Sequence, residues 1–503
     1  MSREAAVLLT LLVYNAVLVL IGLLCRGRTR DSVDFYLGGR KLGPLVAAIS
    51  ASASSSSAWT LLGVSGAAYA WGLSAVWLFP ACVGGFALNW FVLAPALQRV
   101  GTKEQAVTVT EVLAGAPGTP LRDTVNLVCS LVILLSLATY VASQFQGAGK
   151  TFSETFGISM TASVLIGSAI VVFYTFLGGF WAVSITDTVQ GLLMVATAVL
   201  LPISALGAVG GFGGFAEGVG RIADPSFLSL TRNLPITAAI GFILGLLGIG
   251  LGYPGQPHVV NRFMALAERP RAISRARLIA ISWAVLVYAG MLVLGWCGRI
   301  IIPNLADPEV VFISLTNLLF HPVMSGIMLA AVLSAIMSTA DSQLLVASSS
   351  VTHDLRIGHS LHLRELTVSR LVVLLLSAGA VAGALLGSQR IFSQVLFAWA
   401  AMGSAFGPLL LVLVLKGEVR PGIRVAAISG GFLLSVGAFY LVPAEHAWKG
   451  SLERLFPFLI VLALVLLGTK RRASEDRARG ERENARTGEP ENGSAGGAGK
   501  RWK

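Results

Sequence analysis

Two carboxylates, Asp187 and Asp341, stand inside long apolar stretches of a 503-residue chain that otherwise keeps its acids between such stretches. A carboxylate in hydrocarbon costs roughly 2.5–3.5 kcal/mol on insertion scales, so it is expected only where it faces a polar cavity, a partner or an ion. Ser334, Ser338, Asp341 and Ser342 recur at i, i+4, i+7 and i+8, the spacing of one helical face. That face carries only hydroxyl and carboxylate oxygens, the hard ligands an alkali cation takes. Two further stretches are too polar or too rich in helix breakers to be plain spans. In Ser50-Ala-Ser-Ala-Ser-Ser-Ser-Ser-Ala-Trp59 the hydroxyls can bond to the backbone and leave carbonyls free for a cation. Gly245-Leu-Leu-Gly-Ile-Gly-Leu-Gly-Tyr-Pro-Gly-Gln-Pro-His258 cannot continue as one helix. This chemistry is binding and passage of a cation and a solute. No phosphate loop, nucleophile elbow or His-rich metal set is present, and His258 stands alone in the Gly/Pro stretch, so no enzyme is expected.

The elements that position these groups follow from composition. With 55% hydrophobic and 12% charged residues and apolar runs of about 20 residues from end to end, the chain reads as an all-α polytopic membrane protein. Thirteen transmembrane helices are expected, near residues 6–25, 42–69, 72–98, 123–149, 158–177, 181–207, 236–256, 277–302, 309–352, 366–388, 391–415, 423–441 and 453–469. They occupy a transmembrane domain of residues 1–470, followed by 471–503, a polar tail expected to be disordered and cytoplasmic. With the N-terminus outside, Arg26, Arg28, Arg30, Arg40 and Lys41, then Arg262, Arg269, Arg271, Arg275 and Arg277, then the tail fall on one side, which collects most of the 37 Lys and Arg. That asymmetry makes the C-terminus cytoplasmic and accounts for the net charge of +12, so nucleic acid is not an expected partner. The first span keeps Glu4 beside Arg3 and has no small-residue cleavage site, so it reads as a retained helix. The four cysteines show neither disulfide nor metal spacing. The serine run and the Gly/Pro stretch lie five spans apart, an odd number, which inverts the second unit. Spans 2–6 and 7–11 are therefore expected to be inverted five-helix repeats, each led by a broken helix, with binding near the bilayer midplane. Close packing of small residues is the alternative reading of either stretch alone.

The motifs Phe35-Tyr-Leu-Gly-Gly-Arg-Lys-Leu-Gly-Pro44, Gly178-Gly-Phe-Trp-Ala-Val-Ser-Ile-Thr-Asp-Thr-Val-Gln190, Gly252-Tyr-Pro-Gly-Gln-Pro-His258 with Arg262-Phe-Met264, and Met337-Ser-Thr-Ala-Asp-Ser-Gln-Leu-Leu345 resemble the sodium/solute symporter family. Among its members the bacterial sodium/proline symporters are the most similar. The resemblance runs in order from about residue 5 to 470. It implies the inverted-repeat fold of the leucine transporter with flanking helices, a bacterial inner-membrane location, and solute uptake coupled to Na+ by alternating access. It implies a sodium site of the Ala53, Ser56 and Ala335 carbonyls with the Ser338 and Thr339 hydroxyls, although Ser338 and Thr339 can equally bond back to their own helical turn. It places Ser54, Ser55, Ser57, Tyr140, Ile249, Tyr253 and Pro257 at the solute, and Arg40 at a gate, where a topology-setting charge is the plainer reading. Asp187 resembles a functional acid of the family. With Asp341 and Ser342, at comparable depth, it forms either a second cation site or relay, or structural caps and pairs with a loop arginine. Two departures bear on specificity: Ser55 replaces an aspartate of the sodium/proline symporters, and Ile249 a tryptophan. Proline is thus the first expected solute. Another amino acid, a sugar or sialic acid, pantothenate or a monocarboxylate are alternatives, as is a membrane solute sensor without transport.

Overall fold

The computed structural model describes residues 2–25, 37–176, 180–357, 365–388 and 390–469. Arg26, Arg28, Arg30, motif residues 35–36 and 178–179, and the 471–503 tail lie outside the described residues. The described residues fold almost wholly into helices. Their only strand-like pairings are the isolated bridges Leu42 to Leu266 and Val419 to Thr469.

One helix, α1 (Arg3–Cys25), precedes two units. The first comprises α2 (Pro44–Ser55), α3 (Val64–Trp71), α4 (Leu78–Ala87), α5 (Ala94–Glu104), α6 (Arg122–Phe156), α7 (Met160–Thr175) and α8 (Phe180–Ala208). The second comprises α9 (Ile236–Leu247), α10 (Pro257–Ala265), α11 (Ala272–Ile301), α12 (Pro322–Ser349), α13 (Glu365–Leu386) and α14 (Ile391–Lys416); α15 (Pro421–Leu441) and α16 (Phe456–Leu467) follow. Counting α2 with α3, α4 with α5 and α9 with α10 as one pass each, the described residues make the thirteen expected passes, five in each unit. One boundary differs from expectation. The ninth span was expected from residue 309, but Val311–Leu319 is a separate short helix and α12 starts at Pro322. A proline disfavours helical geometry in the residue before it, and His321 is accordingly extended, with φ −60° and ψ 150°.

The two units break their leading passes in the same way. Ser56 leaves the helix at φ −110°, ψ 79°, and Gln256 at φ −97°, ψ 99°. Each folds its N–H back three residues, Ser56 to the Ala53 carbonyl at 3.1 Å and Gln256 to the Tyr253 carbonyl at 3.4 Å. Glycine lets a neighbouring helix come close to each break. A Cβ on Gly147 of α6 would lie 2.7 Å from the Ala58 Cβ, and one on Gly255 would lie 2.4 Å from the Met402 carbonyl of α14. Burial separates the core from the flanks: 83% of the apolar window around α12 is buried and 78% of that in α14, against 22% in α1 and 28% in α15. The breaks therefore lie inside a shell of helices whose outer faces are apolar, as a membrane requires. One expectation is corrected. Arg262, read as a loop charge, sits within α10 and is 1% exposed.

Candidate functional site

The serines of the first break are all buried, and the Ala53 and Ser54 carbonyls meet α12. Ser338 Oγ lies 3.3 Å from the Ala53 carbonyl and 3.4 Å from the Ala335 carbonyl. Thr339 Oγ1 donates to the Ser54 carbonyl at 3.1 Å, and Ser54 Oγ donates to the Ser338 carbonyl at 3.0 Å. Back-bonding along α12 and contact with the other unit thus occur at the same hydroxyl of Ser338. Ala53, Ala335 and Ser338 converge, while Thr339 reaches Ser54 and Ser56 stands just past them with its Oγ unpartnered. Neutral carbonyl and hydroxyl oxygens with a buried unsatisfied hydroxyl are hard donors that can replace the water shell of a monovalent cation, so the set fits sodium.

One helical turn away lies a charged cluster. Arg262 Nη2 donates to Asp187 Oδ2 and to Ser342 Oγ, each at 2.7 Å, and Nε donates to Ser50 Oγ at 2.6 Å. Nη1 donates to the His258 carbonyl, and the guanidinium lies 5.5 Å from the centre of the Phe180 ring. Ser50 Oγ donates to the same Asp187 oxygen at 2.7 Å, and Ser54 Oγ lies 3.2 Å from it. Asp187 Oδ1 and Asp341 Oδ2 have no hydrogen-bond partner, and among the described residues Asp341 makes no ion pair. Ser334, on the same face of α12, belongs elsewhere: its hydroxyl meets Tyr14 of α1.

Around the second break the walls are aromatic. Tyr253 lies 4.7 Å, ring centre to ring centre, from Trp399, which lies 5.2 Å from Trp59 and 6.5 Å from Tyr140. Tyr140 also stands edge-on to His258 at 6.0 Å, and Tyr253 shares a 2.6 Å hydroxyl contact with Tyr288. Tyr140 Oη, Trp399 Nε1 and both ring nitrogens of His258 are buried without partners. Pro257 opens α10. Ser55 Oγ donates to the Ser52 carbonyl at 2.9 Å, and Ser57 Oγ accepts the Trp59 N–H at 3.1 Å, so both act on the local backbone. Ile249 lines a small cavity with Gly252, Trp399, Ala400 and Arg454.

Sequence reasoning missed several contributors. The Ala58 N–H donates to Gln144 Oε1 at 3.0 Å, so a glutamine of α6 caps the second half of the first broken pass. At the opposite end of the bundle from Arg262, Lys150 Nζ donates to Asp307 Oδ2 and Glu309 Oε2, each at 2.6 Å. Glu309 in turn accepts the Ile391 and Phe392 N–H groups at 3.1 and 2.8 Å, at the start of α14. Arg40 Nη2 donates to the Ala106 carbonyl at 2.7 Å and Nη1 to the Met264 carbonyl at 3.3 Å. Beside it, Leu42 N–H donates to the Ala265 carbonyl at 3.1 Å and Ala267 N–H to the Leu42 carbonyl at 3.0 Å, tying the start of one broken pass to the end of the other. For Arg262 a signal existed. It lies four residues after His258, with Val259, Val260 and Phe263 around it, which is a helical turn and not a loop.

A family model, "Sodium:solute symporter family", matches residues 35–419. The chain is 36% identical over 487 residues to a sodium/proline symporter of Escherichia coli (strain K12), covering 93% of this chain and 94% of that one. It is 36% identical over 469 residues to a sodium/proline symporter of Staphylococcus aureus (strain JH9), covering 90% of each. Its fold matches a Na+-coupled sialic acid symporter solved in a substrate-bound outward-open state, with TM-score 0.73, 18% identity, and coverage of 93% of this chain and 98% of that one. A match over most of the length, at this identity and with this fold, leaves one assignment: the chain belongs to the sodium:solute symporter family and is a sodium-coupled multi-pass membrane transporter, not an enzyme.

Proposed function

We propose that this protein imports proline with sodium across a bacterial inner membrane, with its N-terminus outside and its C-terminus in the cytoplasm. The observation that carries the reading is the meeting of Ser338 Oγ with the Ala53 carbonyl, a contact between the break of one unit and α12 of the other. A cation held there by Ala53, Ser56, Ala335, Ser338 and Thr339 is complete only when the units are together. Its binding is therefore coupled to their arrangement, and by reciprocity solute binding at the breaks is coupled to sodium. Tyr140, Tyr253 and Trp399 supply apolar faces for a pyrrolidine ring, and the unpartnered Tyr140 Oη, Trp399 Nε1 and Ser56 Oγ supply polar atoms for its charged ends. Ser55 and Ser57 hold the backbone of the first break open, Ser54 ties it to α8 and α12, and Arg40 braces the face that the Lys and Arg asymmetry puts inside. The relatives at 36% identity are named for proline, which favours it over the other solutes.

Uptake of labelled proline into proteoliposomes tests the reading, with an inward sodium gradient compared with equal sodium on both sides. Accumulation with the gradient alone is expected. Accumulation without any sodium gradient overturns the coupling; no uptake, with sodium still protecting the protein from heat, keeps the symporter and removes proline.

A further inference from the structure

Resting on the sodium-symporter reading, the geometry points to Arg262 as a tethered cation that takes the place of a second coupling sodium. The groups expected to hold a second cation are Asp187, Asp341 and Ser342. Two of them are already engaged by one nitrogen: Arg262 Nη2 lies 2.7 Å from both Asp187 Oδ2 and Ser342 Oγ. The guanidinium is held on its other sides by Ser50 Oγ, the His258 carbonyl and the Phe180 face. A guanidinium stays charged at all relevant pH, so the position carries a permanent positive charge that cannot leave. Without it the cluster would be two buried carboxylates among serine hydroxyls, an anionic oxygen pocket with no counter-charge.

Two observations mark the pocket as a cation position and not simply a structural ion pair. Asp187 Oδ1 and Asp341 Oδ2 are fully buried and unpartnered, so oxygens beyond those Arg262 uses face the same interior. A small cavity lined by Phe180, His258, Asn261, Ser342 and Ser349 adjoins the guanidinium, leaving room for the cluster to accept an ion where the side chain is shortened. Arg262 also rides on α10, directly after the break that carries Tyr253 and Gln256, so its charge moves with the solute-binding element, whereas a bound ion would not. The wild-type protein then binds one sodium, at the Ala53–Ser338 position.

The test is equilibrium binding of ²²Na+ to purified protein, which needs no transport and no knowledge of the solute. Wild type is expected to bind one sodium and Arg262→Gln two, with a sodium titration that turns from hyperbolic to sigmoidal. Arg262→Lys, which keeps the charge, and the double variant Asp187→Asn with Arg262→Gln, which removes the acid, are expected to bind one. Should Arg262→Gln unfold without sodium, its melting temperature is expected to rise with sodium more steeply than that of wild type. Two sodium ions on wild type, or one on a folded Arg262→Gln whose melting temperature rises no more steeply than wild type, overturn the inference. No sodium on wild type sinks the symporter reading itself.

Discussion

Two ion clusters lie at opposite ends of the helix bundle, one with an exposed acid and one wholly buried, and they are finished differently. At one end Lys150 bridges Asp307 and Glu309, and both Glu309 oxygens are satisfied, by the lysine and by two backbone N–H groups of α14. At the other end Arg262 and Asp187 pair through a single acceptor oxygen, leaving Asp187 Oδ1 and Asp341 Oδ2 without partners. A saturated cluster in a low-dielectric interior holds elements together; one with spare oxygens stays receptive to another charge. The first therefore behaves as a clasp joining α6, the Asp307–Glu309 loop and α14. The second keeps acceptor oxygens that its own arginine does not use.

The sharpest way to separate the two roles is Glu309→Ala. Removing Glu309 leaves Lys150 with Asp307 alone and the Ile391 and Phe392 N–H groups without their acceptor, at a cost of about 1–3 kcal/mol for each amide. Thermal unfolding in detergent should show a melting temperature lower by several degrees, while the sodium concentration for half-maximal uptake stays within about twofold, since no sodium ligand is touched. Ser338→Ala should do the reverse. Loss of a hydroxyl facing a charge is worth about 1.5–3 kcal/mol, so half-maximal sodium should rise about 10- to 100-fold with little change in melting. Gln144→Leu falls between the ends: the Ala58 N–H loses its acceptor, costing about 1–2 kcal/mol of stability by thermal unfolding.

The smallest expected effect concerns Glu111, in the short helix Val109–Ala114 between α5 and α6. Burial pushes its carboxyl up, but the His353 ring and the Val107 amide outweigh this and hold it below the usual carboxylate range. A depressed carboxylate stabilises the fold at pH above its unfolded value, and the contribution is lost as pH falls through the folded value. Glu111→Gln should accordingly lower the neutral side of a melting-temperature profile slightly and leave the acid side nearly unchanged, so that the profile is flatter than that of wild type.

What was legible in the sequence follows how each residue carries information. The broken passes were visible because serine runs and Gly/Pro runs are rare in apolar spans, and Ser56 and Gln256 break close to where those runs predict. Ser338 and Asp341 were visible because oxygen-bearing residues at helical spacing stand out against Leu and Ala. Trp59, Tyr288 and Trp399 were not, since a ring in an apolar helix looks the same whether it packs in the core or lines a pocket. Arg262 was misassigned because a cation in a short polar stretch carries the signature of a loop, and only its distant partners Asp187 and Ser342 reveal otherwise. Lys150 was missed for the same reason, its partners lying more than 150 residues away.

The two backbone hydrogen bonds between Leu42 and residues Ala265 and Ala267, with Arg40 reaching Met264, make the ends of the two broken passes one mechanical piece. In effect they splice two levers at one end. A tilt imposed at the first break is delivered to the second without relying on any side chain between them, and a substitution that loosens the splice should let each break move alone, turning a coupled machine into a leak.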